Sequence, residues 1–215
     1  VSHRKKFIYT KTIETAGTSV ESYFEKYCMA QGEWKKSERR EEYVSDFGII
    51  GQRGGNVKTK RWYNHMKAAD IKSQLDEKTW QNYFKFCVIR NPFDKLVSLF
   101  FFKKNDQVFK DDAEIIKEFR SWMRMGRFGQ DRNKYLIKGN ICVDYFIRYE
   151  ELTQGVKHVC ETINVPYIES DLPTFKAGFR KGSIILSELY NKEMIDIVRD
   201  KFTFELDYFN YKPPS

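Results

Sequence analysis

The sequence is short of the residues that mark disulfide-rich and metal-stabilised proteins. Four of its 215 residues are cysteines and five are prolines. The cysteines are Cys28, Cys87, Cys142 and Cys160. They form no C-x-x-C pair and have no histidine at metal-ligand spacing, so we predict neither a disulfide framework nor a metal site. Each lies among apolar residues, and we expect buried free thiols.

Long apolar runs are also absent. The densest apolar patch, LVSLFFF at residues 96–102, is too short to cross a bilayer. We also expect no signal peptide. These features predict no membrane span. They favour a cytoplasmic protein, or a soluble catalytic domain trimmed from a longer chain.

The composition provides a hydrophobic core and an excess of positive charge. Hydrophobic residues make up 41% of the chain and aromatic residues 16%, and the length favours a single domain over residues 1–215. The 38 basic residues outnumber the 30 acidic ones, which gives a net charge of +8. This balance favours an anionic partner, which could be nucleic acid, a nucleotide, a sulfated or phosphorylated substrate, or a membrane face. The alternative is that the basic surface only keeps the protein soluble.

Short apolar runs alternate with amphipathic stretches along the chain. This order predicts an α/β fold with a mainly parallel central sheet flanked by helices. Residues 32–61 are instead rich in charge and glycine, and we expect a substrate-facing surface excursion that is mobile near Gly54 and Gly55. The predicted strands cover residues 5–10, 83–89 and 143–149, and the predicted helices cover residues 18–28, 65–75, 92–104, 113–125, 150–163 and, as one long terminal helix, 187–209.

The turn after the first strand has the composition of an anion-binding loop. Its segment TAGTS consists of Thr15, Ala16, Gly17, Thr18 and Ser19. The glycine allows close approach of the backbone, the hydroxyls can donate hydrogen bonds, and a helix begins immediately afterwards. A turn in which Thr18 or Ser19 only caps the helix is the alternative. The G-x-x-x-x-G-K-[ST] loop of nucleoside triphosphatases is absent.

A second strand-to-helix turn follows in the segment CVIRNPFDKLVSLF. Arg90 stands at the end of the strand, Pro92 suits the first turn of the next helix, and Ser98 follows within that helix. A guanidinium and a hydroxyl placed in this way can bind one phosphate. The alternative for Arg90 is a structural ion pair with Asp94.

Together, TAGTS after a strand and RNPFDKLVSLF further along resemble the two nucleotide-binding motifs of sulfotransferases that use 3′-phosphoadenosine 5′-phosphosulfate (PAPS), particularly the carbohydrate-type branch and its bacterial relatives. The similarity extends to WYNHMKAADI, VDYFIRYEEL and the C-terminal helical region. It implies a fold like that of P-loop nucleoside triphosphatases. It also implies that all five TAGTS residues bind the 5′-phosphosulfate, that Arg90 and Ser98 hold the 3′-phosphate, and that no metal is required.

Three further residues are assigned through the resemblance. His65 lies between the two motifs, where related enzymes often carry a histidine that acts as general base, and a packed or surface histidine is the alternative. Arg180 and Lys181, in the segment FRKGS, are similar to a basic segment that closes over the 3′-phosphate. An exposed basic turn is the alternative for this pair.

The first loop departs from the family at Glu14, where a lysine normally precedes the small-residue segment. Losing one such donor commonly costs roughly 100- to 1000-fold in turnover, and the negative charge adds repulsion of an anionic donor. Three explanations stay open: Lys11 takes over the role, Glu14 is a natural adaptation or loss of activity, or Glu14 is a laboratory substitution. We expect impaired catalysis with cofactor binding retained.

The resemblance favours transfer of the sulfuryl group from PAPS to an acceptor hydroxyl of a glycan or small molecule, with a carbohydrate as the expected acceptor and adenosine 3′,5′-bisphosphate (PAP) as product. We expect no nucleic-acid partner, and oligomeric state is left open. Two alternatives compete: a catalytically silent protein that binds nucleic acid or sulfated polymers, and a nucleotide kinase-like enzyme.

Overall fold

The computed structural model describes residues 1–55, 57, 59–175 and 184–214. They form two compact units, the first made of Val1–Ile89 with Asp131–Phe175 and the second of Arg90–Gln130 with the described part of Lys176–Ser215. In chain order, the strands and α-helices are β1 (Phe7–Thr10), α1 (Gly17–Glu25), β2 (Tyr43–Ser45), β3 (Gly48–Ile50), α2 (Ala68–Gln74), α3 (Glu77–Asn82), β4 (Phe84–Ile89), α4 (Pro92–Lys103), α5 (Asp112–Met125), β5 (Leu136–Ile137), β6 (Asn140–Ile141), β7 (Tyr145–Arg148), α6 (Leu152–Thr162), α7 (Leu186–Leu189), α8 (Lys192–Lys201) and α9 (Thr203–Phe209).

A three-stranded parallel sheet forms the centre of the first unit. Its strand order is β1-β4-β7, with Phe7 opposite Phe84 and Phe86 opposite Tyr145. Strand β4 lies between the other two, and its apolar run FKFCVI is typical of a strand buried on both faces. The predicted α/β class with a parallel sheet and flanking helices is confirmed.

Helices α1 and α6 supply the apolar side chains that cover this sheet. Tyr23 and Phe24 of α1 and Val156 and Val159 of α6 belong to one buried cluster with the strands. Gly155 permits the approach of α6 to β7, because a Cβ at this position would lie 2.5 Å from Cγ2 of Ile147. Helix α6 is therefore packed tightly against β7, the edge strand opposite β1.

Residues 32–61, which the sequence indicates as a surface excursion, contain an antiparallel hairpin. Strands β2 and β3 pair with Tyr43 opposite Ile50. Ile49 and Ile50 are buried, and so is the charged side chain of Arg53. Gly54 and Gly55 adopt positive φ angles of 83° and 71° next to this buried arginine. The segment is thus anchored to the first unit at several points.

The second unit is helical and has an aromatic core. Helices α4, α5, α7, α8 and α9 contribute buried side chains to it, and Phe100 contacts Phe119 edge to face with ring centroids 5.4 Å apart. Helix α4 begins at Pro92 as predicted, and the Asn91 side chain caps it by accepting a hydrogen bond from the Phe93 N–H at 3.1 Å.

The prediction of one long terminal helix over residues 187–209 is wrong. Tyr190 is extended, and the Asn191 side chain starts a new helix by accepting a hydrogen bond from the Met194 N–H at 2.9 Å. Phe202 ends α8 and begins α9, with φ −114° and ψ 26°. A strong N-cap and a buried aromatic side chain therefore divide a stretch whose apolar spacing reads as continuous.

The cysteines match the prediction of buried free thiols at three of the four positions. All four are free thiols; Cys28, Cys87 and Cys160 are buried, whereas Cys142 is half-buried. No helix in the described part of the chain combines the length and apolar character needed to span a membrane.

The contact between Gly155 and Ile147 predicts a stability effect. Gly155→Ala should destabilise the protein by about 1–2 kcal/mol, because overpacking against the buried β-branched side chain outweighs the gain in helix propensity. Gly129→Ala, outside any helix, is the control for a Gly-to-Ala change without overpacking, since a Cβ there would have no heavy atom within 4 Å. Urea unfolding of both variants measures the difference. An unchanged midpoint for Gly155→Ala would show that α6 can move away from β7 at no cost.

Candidate functional site

The loop between β1 and α1 lies at the carboxyl end of a parallel strand, where α/β proteins bind ligands. Ala16 is the N-cap of α1, with φ 56°, and no side chain caps the helix. The alternative of a cap by Thr18 or Ser19 is therefore not realised. The first N–H groups of a helix have no acceptor within it, and the first turn of α1 has no acidic residue. This helix end can accept an anion.

The hydroxyls of the loop are tied to the surrounding framework. Thr12 donates to the carbonyl oxygen of Val88 on β4, so the 2.8 Å contact between Thr12 and Thr15 has Thr15 as its donor. Ser19 Oγ accepts a hydrogen bond from the Phe175 N–H at 3.2 Å. The buried Thr15 hydroxyl thus fixes the loop conformation, while the half-buried Thr18 faces a cation.

That cation is Lys11, which directly follows β1. Its Nζ lies 3.2 Å from Thr18 Oγ1 and 2.7 Å from Glu21 Oε2, and its side chain is 5% exposed. A Cβ at position 17 would lie 3.0 Å from Cγ of Lys11, so Gly17 leaves the space in which the lysine crosses the start of the helix. The structure therefore brings the Lys11 ammonium beside the start of α1.

Glu14 occupies the middle of the loop in a left-handed conformation, with φ 56°. Its side chain is half-buried. The preceding residue is fixed, because the Ile13 N–H donates to the buried Asp131 carboxylate at 2.9 Å. Two left-handed residues, Glu14 and Ala16, wind the loop tightly before the helix begins.

His65 lies beside the same loop. Its Nδ1 is 3.2 Å from the carbonyl oxygen of Lys11. A carbonyl only accepts, so Nδ1 carries the proton in this contact and Nε2 is the basic nitrogen of the neutral ring. Burial, followed by the positive charge of Lys11, lowers the pKa of His65 to about 4. The residue has a left-handed φ of 60°, a conformation that costs energy and that proteins often keep at functional positions.

A cavity of about 70 Å³ joins these groups within the first unit. Lys11, Glu21 and His65 line its polar side, and Trp62 and Met66 are among its apolar wall. The candidate base and the cation of the loop therefore face one space. A small group with a hydroxyl can enter a cavity of this character.

The second motif lies in the other unit. Arg90 Nε donates to Asp94 Oδ2 at 2.6 Å, so the ion pair considered as an alternative is present. This ion pair involves the Nε donor of the guanidinium. Asp94 and Ser98 are four residues apart in α4 and share a face, which aligns Ser98 with this ion pair.

The remaining assigned residues are Arg180 and Lys181, which lie outside the described residues. Over the described ranges, no group of three or more His, Cys, Asp or Glu side chains could hold a metal ion.

Sequence reasoning missed three charged residues around the loop. Glu21 forms ion pairs with both Lys11 and Arg53. The Asp131 carboxylate accepts a hydrogen bond from the Ile13 N–H. Glu21 has a local signal, since it comes two residues after TAGTS on the first helical turns. Arg53 and Asp131 are distant in sequence and carry no pattern that identifies them.

The model of the sulfotransferase family matches residues 1–212, nearly the whole chain. No curated protein and no solved structure matches the chain. With a family model that covers both the loop after β1 and the segment around Arg90, the chain belongs to the sulfotransferase family, whose members transfer a sulfuryl group to an acceptor.

Proposed function

We propose that the protein transfers the sulfuryl group of PAPS to a hydroxyl of a carbohydrate acceptor. The observation that carries this proposal is the convergence of the Lys11 ammonium, the N-terminus of α1 and the basic nitrogen of His65 at the carboxyl end of β1. An anionic donor needs the first two, and a hydroxyl acceptor needs the third.

Both motifs contact the donor in this proposal. The backbone of TAGTS and the Thr18 hydroxyl bind the 5′-phosphosulfate. Arg90 and Ser98 bind the 3′-phosphate, and the basic pair Arg180 and Lys181 adds to that contact. The net charge of +8 favours association with a donor that carries several negative charges.

The transfer moves one proton from the acceptor hydroxyl, forms one oxygen–sulfur bond and breaks another. Nε2 of His65 accepts the proton of the acceptor hydroxyl as its oxygen forms a bond to sulfur. The bond from sulfur to the bridging oxygen of the donor breaks, and PAP leaves with the electron pair. Lys11 donates to that oxygen as negative charge develops on it, which is the largest contribution a fixed donor can make.

The acceptor is proposed to be a carbohydrate. This choice rests on the resemblance of the two motifs to carbohydrate-type sulfotransferases and on the polar lining that Lys11, Glu21 and His65 give to the cavity. The apolar wall at Trp62 suits the face of a sugar ring.

Donor binding is tested by thermal unfolding with PAP. At 100 times its Kd, PAP should stabilise the protein by about 2.7 kcal/mol, which corresponds to a rise in Tm of roughly 5–10 °C for a chain of this size. Arg90→Ala should abolish the rise. Asp94→Ala removes the same ion pair but keeps the guanidinium, so it should retain the rise. A larger rise with ATP and magnesium would instead indicate a kinase-like enzyme, and no rise with PAP would refute donor binding.

The role of Glu14 is tested by a transfer assay with radiolabelled PAPS and a panel of glycans and small alcohols. Glu14→Lys and Glu14→Gln both remove the negative charge beside the anionic donor, so both should raise kcat. Because Lys11 is proposed to supply the hydrogen bond to the bridging oxygen, the two variants should be similar. A further gain of roughly 100-fold by Glu14→Lys over Glu14→Gln is what a missing hydrogen-bond donor predicts, and it would contradict the role proposed for Lys11.

The protonation of His65 is tested by NMR titration of the three histidines, with His65→Gln to assign the signal. The His65 ring should titrate near pH 4 because burial and Lys11 disfavour its charged form. The neutral base is then present above pH 4, and kcat/KM should fall only as the pH drops through about 4, not through 6.5. A His65 signal that titrates near 6.5 would contradict the buried arrangement beside Lys11.

A further inference from the structure

Five charged side chains of the first unit form a chain of alternating sign behind the loop. Three are cations and two are carboxylates, so the chain carries a net charge of +1. Its members, in order of contact, are Lys11, Glu21, Arg53, Glu25 and Arg40. Lys11 forms the end of this chain that lies in the loop, and Arg40 forms the end within residues 32–61.

Glu21 is the member that connects the loop to the rest of the chain. Its Oε2 accepts from Lys11 Nζ and from Arg53 Nη1, each at 2.7 Å. Burial disfavours the carboxylate, but Lys11 and Arg53 outweigh it and hold the pKa of Glu21 at about 2. Glu21 is therefore charged throughout the neutral range and binds both cations through one oxygen.

Arg53 is held in place from several directions. Its Nε donates to the carbonyl oxygen of Glu38 at 2.7 Å and its Nη2 donates to that of Ser37 at 2.9 Å. Its Nη1 also contacts the carboxylate of Glu25, which is 2% exposed. A guanidinium fixed in this manner cannot follow Glu21 if the carboxylate moves, so it fixes the carboxylate instead.

We infer that Glu21 and Arg53 are positioning residues, which hold the Lys11 ammonium where the sulfuryl donor binds. This inference rests on the proposed function. Lysine is a flexible side chain with a compact charge, and its contribution to a reaction depends on being held where charge develops. Arg53 holds Glu21, Glu21 holds the Lys11 ammonium 3.2 Å from Thr18, and Gly17 leaves room for the lysine stem. The loop that carries Glu14 in the usual lysine position thus has a cation supplied from the strand.

A positioning role and a purely electrostatic role for Glu21 predict opposite effects of neutralising Glu21 on PAP affinity. Removing a negative charge near an anion site should strengthen anion binding if charge alone matters. If Glu21 positions Lys11, Glu21→Gln should instead weaken PAP binding about 10-fold, because the ammonium leaves its place beside Thr18.

The test is a double-mutant cycle in which PAP affinity is measured by calorimetry on the whole chain. Glu21→Gln should weaken binding in the presence of Lys11 and have no effect in the Lys11→Met background. Arg53→Gln should also weaken binding, and its effect should vanish once Glu21 is replaced. Arg40→Gln is the matched control, because Arg40 contacts Glu25 but is not among the partners of Glu21, and it should leave the affinity unchanged.

Several outcomes decide between the alternatives. Tighter PAP binding by Glu21→Gln, or equal weakening with and without Lys11, would overturn the inference while leaving the proposed function intact. Failure of the wild type to bind PAP would overturn both. Thermal unfolding of each variant shows whether it folds, and Arg53→Lys, which keeps the charge but not the forked contacts, replaces Arg53→Gln if that variant does not fold.

Discussion

The ion pair between Lys11 and Glu21 is the interaction on which the site depends. It joins the residue after β1 to the second turn of α1, and thereby sets the distance between the end of the strand and the start of the helix. Gly17 allows this because a side chain there would press on the Lys11 stem. The carbonyl of the same lysine accepts the Nδ1 proton of His65. One residue therefore supplies a cation on its side chain and selects the histidine tautomer with its backbone.

Much of the fold follows from local sequence. The apolar run of β4, the proline at the start of α4 and the small-residue turn before α1 each encode their element within a few residues. The terminal helical region shows the limit of such reasoning. Its apolar spacing suits one helix, but the cap at Asn191 and the buried Phe202 decide where helices begin and end. Those decisions depend on packing that a local pattern does not contain.

The residues of the site likewise differ in whether the sequence alone identifies them. Lys11, His65 and the TAGTS segment are recognisable because they lie within or between motifs, and the structure places the first two in contact. Arg53 comes from a segment that reads as an exposed excursion, yet its guanidinium is buried against α1. Its importance arises from a carboxylate 32 positions away in sequence, and such a pairing has no signal in a single chain. Long-range charge pairing is therefore the part of the site that only the fold reveals.

The charges around the loop separate binding from turnover. Binding of an anion draws on the helix N-terminus, on backbone N–H groups and on the summed charge, and Glu14 lowers only the last of these. Turnover depends on one donor aimed at the oxygen that becomes charged, so the place of a single ammonium matters more than the total charge. The Lys11 ammonium is fixed by Glu21, whereas Glu14 stands in the middle of the loop in a left-handed conformation. In the proposed reaction, affinity for the donor therefore draws on the backbone of the loop, and the rate draws on where Lys11 is held.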